Sequence, residues 1–303
     1  MADAGGNPTY LQEPGHTGKS GFVPWYQQAG AWVVICALTF AFAIALVILV
    51  RTGGGGTASG AESSPPPASA RSEVAPTPDV EGDFAPVPAV ACPEGGETPT
   101  AEAGQPAGAT ELGGIALGCD GVPGGPVADQ TKIAVQVMSD YICPYCQKFE
   151  QEIGPQLEQA MRAGQVKLTV YPMGYLDAYS TSEYSSRAAR AAVAVAALDP
   201  AHYWAFDKLL WENQPAEGGE GLSDEDIAAL ARQAEVADQA IAQFTGGAYN
   251  NWVANTTQVV TGSEGFQGTP WVLIGDGANL YPWNWSSGDL QTAIAKVAAG
   301  QQP

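Results

Sequence analysis

The sequence predicts an α/β domain with a helical insertion, carried behind one transmembrane helix and a long disordered tether. Three observations predict it. An apolar run, Lys132 to Met138, leads into Cys143-Pro144-Tyr145-Cys146, and a helical pattern begins directly afterwards. A long Ala-rich helical region follows the next strand. Strands then return as Trp271–Ile274 and Asn279–Trp283 around a Gly275-Asp276-Gly277 turn, which reads as a hairpin.

Residues 1–30 are polar with scattered aromatics and are expected to be disordered. Ala31 to Val50 carry no charge and match the thickness of a bilayer core as a helix, so residues 31–51 are expected to form an uncleaved anchor. Trp25, Tyr26 and Trp32 stand where interfacial aromatics belong. Lys19 precedes the run, and Arg51 and Arg71 follow it, so charge does not set the orientation. Cys36 within the run reads as a small apolar filler. Residues 52–110 are crowded with Gly, Pro, Ala, Ser and Thr and read as a disordered linker, because such a segment buries too little apolar surface to offset its ordering entropy.

The folded part then takes its elements in order. Gly114 to Gly118 is a first strand, Lys132 to Met138 a second, and Gln147 to Met161 one helix. Val166 to Tyr171 alternates as a third strand. Helices follow from Ser182 to Asp199, Ala201 to Glu212, Ser223 to Ala234 with Ser223 as N-cap, Asp238 to Phe244, and Tyr249 to Val260. After the hairpin, Ser286 and Ser287 are expected to cap a last helix that runs through Asp289, Leu290 and Val297.

With 12 Lys+Arg against 32 Asp+Glu, binding to nucleic acid through phosphate neutralisation is disfavoured. The chemistry-bearing motif is the Cys-x-x-Cys between a strand and a helix. The helix N-terminus presents unpaired N–H groups and partial positive charge to Cys143, which favours its thiolate. Pro144 suits the first helical turn, where its missing N–H costs nothing. Two other readings stand beside a catalytic dithiol. A structural zinc site needs about four N/S ligands, and His16 and His202 are the only histidines. An inert disulfide is the second. Cys92 and Cys119 flank the end of the linker; in an oxidising compartment they would pair, and the alternative is two unrelated cysteines.

Taken together, Ser139 to Glu150 around Cys143 and Cys146, the helical insert and Gly268-Thr269-Pro270 resemble the thioredoxin superfamily, in its DsbA-like branch. The anchor and tether resemble extracytoplasmic actinobacterial members. The resemblance implies a thioredoxin fold over 111–303 with its insertion at about 180–262. It implies that Pro270 is a cis-proline beside the cysteines and that Thr269 offers its N–H and C=O to a substrate strand. Catalytic roles thus fall to Cys143, Cys146, Thr269 and Pro270, with Pro144 and Tyr145 completing the redox motif. Thioredoxin-like proteins commonly bury an acid six positions before the first cysteine; here Val137 stands there. Glu150, four residues after the motif, reads either as a partial substitute for that acid or, the favoured reading, as a solvated carboxylate of the first helix.

The implied reaction is thiol–disulfide exchange that introduces disulfides into unfolded or reduced secreted proteins. Reoxidation would fall to a quinone-linked membrane partner of the DsbB or vitamin-K-epoxide-reductase-like type. No cofactor, metal or nucleotide is expected, and the chain is expected to be a monomer. A reductase or isomerase of the same fold, and a tethered chaperone-like binding protein with a structural disulfide, are the alternatives. Trp271, Tyr281, Trp283 and Trp285 read equally as a groove for unfolded chains or as core of the last hairpin.

Overall fold

The computed structural model describes residues 85–93, 99, 101 and 104–303. The N-terminal segment, the anchor at 31–51 and most of the linker lie outside these residues. Among the described residues no helix is long and apolar enough to cross a membrane.

Five strands form one sheet: β1 (Ile115–Leu117), β2 (Ile133–Ser139), β3 (Val166–Pro172), β4 (Trp271–Gly275) and β5 (Leu280–Pro282), in the spatial order β1-β3-β2-β4-β5. β2 and β3 run parallel, with Val135 opposite Leu168 and Val137 opposite Val170. The other pairings are antiparallel. The central strand β2 buries Ile133, Val135 and Val137 in alternation, the period that a pleated strand imposes.

Two helices follow β2, not one: α1 (Pro144–Glu152) and α2 (Gly154–Arg162). Pro155 in the first turn of α2 has no N–H to give and crowds the preceding turn, so the continuous helical pattern breaks at Ile153. The insert between β3 and β4 holds α3 (Tyr184–Leu198), α4 (Tyr203–Glu212), α5 (Asp224–Gln233), α6 (Asp238–Ile241) and α7 (Asn250–Thr261). α3 is its axis. Ala188, Ala189, Ala191, Ala192, Ala194 and Ala196 are all fully buried, and their small side chains let α4, α6 and α7 approach closely. Arg187 and Arg190 give this helix its one polar edge, Arg187 pairing with Asp224 and Arg190 donating to Asn250 Oδ1, while the rest of its surface is core.

Caps mark the ends. Ser223 and Asp226 form a reciprocal capping box on α5. The last helix, α8 (Leu290–Ala298), is capped by Asp289 through Thr292 N–H at 2.8 Å, which replaces the expected serine caps. Asp289 stands immediately before the helix, where its carboxylate can reach the third N–H; the serines are too far upstream.

The packed body begins upstream of residue 111. Val90 N–H donates to Ala163 O at 2.8 Å, Gln165 Nε2 donates to Val87 O at 2.5 Å, and Ala107 is buried with its N–H on Ala196 O. Cys92 and Cys119 are joined in a disulfide across 27 residues, with Cα atoms 6.1 Å apart. Backbone hydrogen bonds and the bridge hold this strap where side-chain burial alone is sparse.

Candidate active site

β2 delivers the chain to the site. After Ser139, Asp140 makes a turn: its Oδ1 accepts from Ile142 N–H at 3.0 Å and its carbonyl accepts from Cys143 N–H at 3.0 Å. Cys143 is the N-cap of α1, in extended conformation, and Pro144 takes the first helical position. One turn on, Cys146 is buried inside the same helix. Both cysteines are free thiols. Cys143 keeps 4 % exposure and Cys146 none, so the first sulfur is the more reachable of two recessed ones. Tyr145 between them is 68 % exposed.

The loop before β4 closes the other side. The Thr269–Pro270 peptide is cis. Cys143 Sγ donates to Thr269 O at 3.3 Å, within reach for sulfur. The Thr269 hydroxyl is buried without a hydrogen-bond partner, near enough to both sulfurs to act on their charge.

The two thiols are pushed in opposite directions. Cys143 is held down at about 6, first by the hydrogen bond from the Cys146 thiol. Burial opposes this; the Thr269 hydroxyl and the N–H groups of Cys146 and Tyr145 add to it. Burial pushes Cys146 well above the ordinary thiol range, and the neighbouring sulfur adds to the rise. At neutral pH the pair therefore holds one negative charge, and it sits on Cys143. The helix N-terminus contributes as expected, but the leading donor is the second cysteine.

The insert grips the redox turn. Gln214 Nε2 donates to the Cys143 carbonyl at 3.0 Å, and Gln147 Nε2 donates to Trp211 O at 3.2 Å. The Tyr141 ring packs on Trp211 with centroids 4.6 Å apart, and its hydroxyl donates to Asp207 Oδ1 at 2.5 Å. Glu150 is half-buried, not freely solvated. It lines a cavity of about 290 Å³ behind α1 together with Trp204, Asp207 and Trp211. Burial, with Asp207 adding its charge, pushes Glu150 up to about 8; burial likewise lifts Asp207 to about 6. The helix α1 turns this carboxylate toward α4, which screens it in part from water.

A wider groove of about 570 Å³ opens beside the cysteines. Tyr145, Thr269, Pro270, Trp271, Trp283 and Trp285 line it. Trp283 and Trp285 also belong to the core, Trp285 meeting Phe149 edge-on at 5.6 Å, so the two readings of these aromatics coexist. Tyr281 is not part of the lining.

The motif residues Cys143, Pro144, Tyr145 and Cys146 and the pair Thr269 and Pro270 thus meet in one place. The Cys92–Cys119 bridge holds the N-terminal strap and gives no group to the site. Sequence reasoning assigned no role to Asp140, Gln214 or Asp207. Asp140 had a signal, an Asx turn directly after a strand; Gln214, 71 residues from Cys143, had none. Val137, where an acid commonly stands, is buried at 2 % exposure. Among the described residues no group of three or more His, Cys, Asp or Glu is placed to hold a metal ion.

A parallel strand pair flanked by antiparallel strands, with a Cys-x-x-Cys capping the first helix and a proline loop facing it, defines a dithiol protein of thioredoxin type. Residues 124–296 match the family described as Thioredoxin, more than half of the chain, and the chain belongs to that family. No curated protein matches it. Among solved structures it is similar to the reduced disulfide bond oxidoreductase DsbG of Mycobacterium tuberculosis, with 26% identity, 56% of this chain and 81% of that chain covered, and a TM-score of 0.48. It is similar to MdbA, a thiol-disulfide oxidoreductase of Actinomyces oris, with 18% identity, coverage of 67% and 92%, and a TM-score of 0.49. Reduced DsbA of Mycobacterium tuberculosis shares 24% identity over 61% and 98%, with a TM-score of 0.48.

Proposed function

We propose that the protein is a DsbA-like thiol:disulfide oxidoreductase that introduces disulfides into extracytoplasmic proteins through Cys143 and Cys146. The observation that carries the reading is the asymmetry of the two thiols: one stabilised as thiolate at the helix cap, the other buried as thiol. A thiolate stabilised in the reduced form makes the disulfide form a good oxidant.

In the reaction, a substrate thiolate attacks Sγ of Cys143 in the Cys143–Cys146 disulfide. The S–S bond breaks, the electron pair goes to Cys146, and Cys146 takes a proton. A second substrate thiolate then attacks the substrate sulfur of the mixed disulfide, and Cys143 leaves as the thiolate that its surroundings favour. The substrate loses two electrons and gains one disulfide; the enzyme is reduced to the dithiol. Thr269 offers its backbone to the substrate strand and Pro270 shapes that loop. A quinone-linked membrane partner, DsbB-like or vitamin-K-epoxide-reductase-like, restores the disulfide.

The same reading places residues 31–51 in a membrane as a single-pass anchor and the folded domain outside it, acting as a monomer on reduced secreted proteins. Its support is the uncharged run from Ala31 to Val50 and the disulfide chemistry. An alkaline-phosphatase fusion after Arg51 is expected to be active; an inactive one places the domain in the cytosol.

The deciding experiment is the reduction potential of the domain. An oxidase gives a value above about −180 mV, and a value near −270 mV assigns the protein to the reductases. Client protection that survives Cys143→Ser unchanged assigns it to the chaperone-like binders.

A further inference from the structure

Among the described residues Asp140 is the one acidic residue that is fully buried, at 0 % exposure. It lies three residues before Cys143, and both carboxylate oxygens are engaged on different segments. Oδ1 accepts from Ile142 N–H at 3.0 Å, inside the turn that presents Cys143. Oδ2 accepts from Leu176 N–H at 2.8 Å, in the loop that leads from β3 to α3. A buried carboxylate costs several kcal/mol unless hydrogen bonds compensate it, so a fold that keeps one there ties it to specific donors.

The second loop matters for the cleft. It carries Tyr175, 40 % exposed, and Tyr179, 54 % exposed. Tyr175 meets Phe266 edge-on at 5.3 Å, and Phe266 meets Trp271 edge-on at 5.6 Å. Trp271 directly follows Pro270. One carboxylate thus links the turn before the first cysteine to an aromatic row that ends at the proline loop.

We propose that Asp140 is a positioning residue of the dithiol site: its carboxylate holds the Cys143 turn and the Tyr175 loop in one fixed relation, so that an incoming polypeptide meets the sulfur and the aromatic row together. The proposal rests on the oxidoreductase reading above and deepens it. Asp140 touches no sulfur with its side chain; its effect passes through Leu176 and Tyr175. The groups facing it are Ser185 and Tyr184 of α3, Asp177 of the loop, and Cys146, whose sulfur faces the Asp140 backbone N–H. Burial, opposed by Ser185 and the two N–H donors and reinforced by Asp177, lifts its carboxyl to about 6.

The test compares two probes on the oxidised protein: glutathione, and a short fluorescent peptide with one cysteine between aromatic residues. Asp140→Asn keeps the volume and removes one acceptor. Its rate with the peptide is expected to fall by about ten-fold relative to its rate with glutathione, because only the peptide uses the aromatic row. In the Asp140→Asn/Tyr175→Ala double variant the peptide-to-glutathione ratio is expected to lie within about two-fold of that of Tyr175→Ala alone. A ratio unchanged by Asp140→Asn, or effects of the two substitutions that multiply, overturns the proposal. If Asp140→Asn does not fold, the unaltered oxidised protein, whose cysteines do not titrate, gives the second measurement. The amide resonances of Ile142 and Leu176 are expected to shift together with one midpoint at about 6; a Leu176 amide that stays still overturns the link. A wild-type protein inert to both probes defeats the oxidoreductase reading itself, which separates the two failures.

Discussion

The side-chain amide of Gln214 donates to the carbonyl of Cys143 at 3.0 Å, so the helical insert holds the redox turn by its backbone and leaves the sulfur free. Gln214→Ala removes one hydrogen bond and is expected to cost about 1 kcal/mol, read by urea unfolding. The alkylation midpoint of Cys143 is expected to stay where it was, since Gln214 gives nothing to the sulfur. A shifted midpoint shows that the grip also tunes the thiol.

Cys143 is expected to be alkylated by iodoacetamide with a midpoint at about 6 in the reduced protein. Cys146→Ala removes the leading donor and is expected to raise that midpoint by about one unit. Because the folded value lies below the ordinary 9.0, the stability that the thiolate adds is full above that value and is lost as the pH falls through about 6. The oxidised protein has no such thiol. The unfolding midpoint of the reduced form is therefore expected to drop relative to the oxidised form as the pH is lowered from 9 to 6. A constant difference refutes the assignment.

Glu150 has the opposite sign. Its folded value, about 8, lies above the ordinary 4.5, so its contribution is full below 4.5 and is lost as the pH rises through 8. Glu150→Gln is expected to stabilise the protein by about 1–2 kcal/mol at alkaline pH and to leave it nearly unchanged in acid. Thermal unfolding across that range checks it; a pH-independent effect of the substitution speaks against a buried carboxyl.

Mass mapping of the non-reduced protein is expected to link Cys92 to Cys119. The bridge closes 27 residues, and Cys92→Ala/Cys119→Ala is expected to cost about 3 kcal/mol. Cys143 alkylation is expected to be unaffected, because the strap gives the site no group.

The strands and the helical insert were legible because their periodicities are local: β2 alternates Ile133, Val135 and Val137, and α3 is a run of alanines and valines from Ala188 to Ala197 broken only by Arg190. The redox pair was legible because four consecutive residues carry the chemistry. What escaped depends on contacts across long separations. Gln147 to Met161 reads as one amphipathic run, and only the position of Pro155 against the preceding turn breaks it. Glu150 looks like any first-helix acid until α4 covers it with Trp204 and Trp211. The ordered strap at 85–93 has a linker's composition and is held by the Ala163 carbonyl and the Gln165 side chain in the turn between α2 and β3, which composition does not reveal. Asp140 was visible as a turn residue, yet Leu176, its second donor, lies 36 positions away.

The depth of the first sulfur has a consequence for selectivity. With 4 % of Cys143 exposed and Tyr145 standing out at 68 % beside it in the chain, a flat rigid surface cannot bring its own sulfur close enough to react. A partner must offer a thiol on a protruding or slack length of chain. On the proposed reading, discrimination between unfinished and finished proteins then begins with how pliable the visitor is, before the aromatic row meets its side chains.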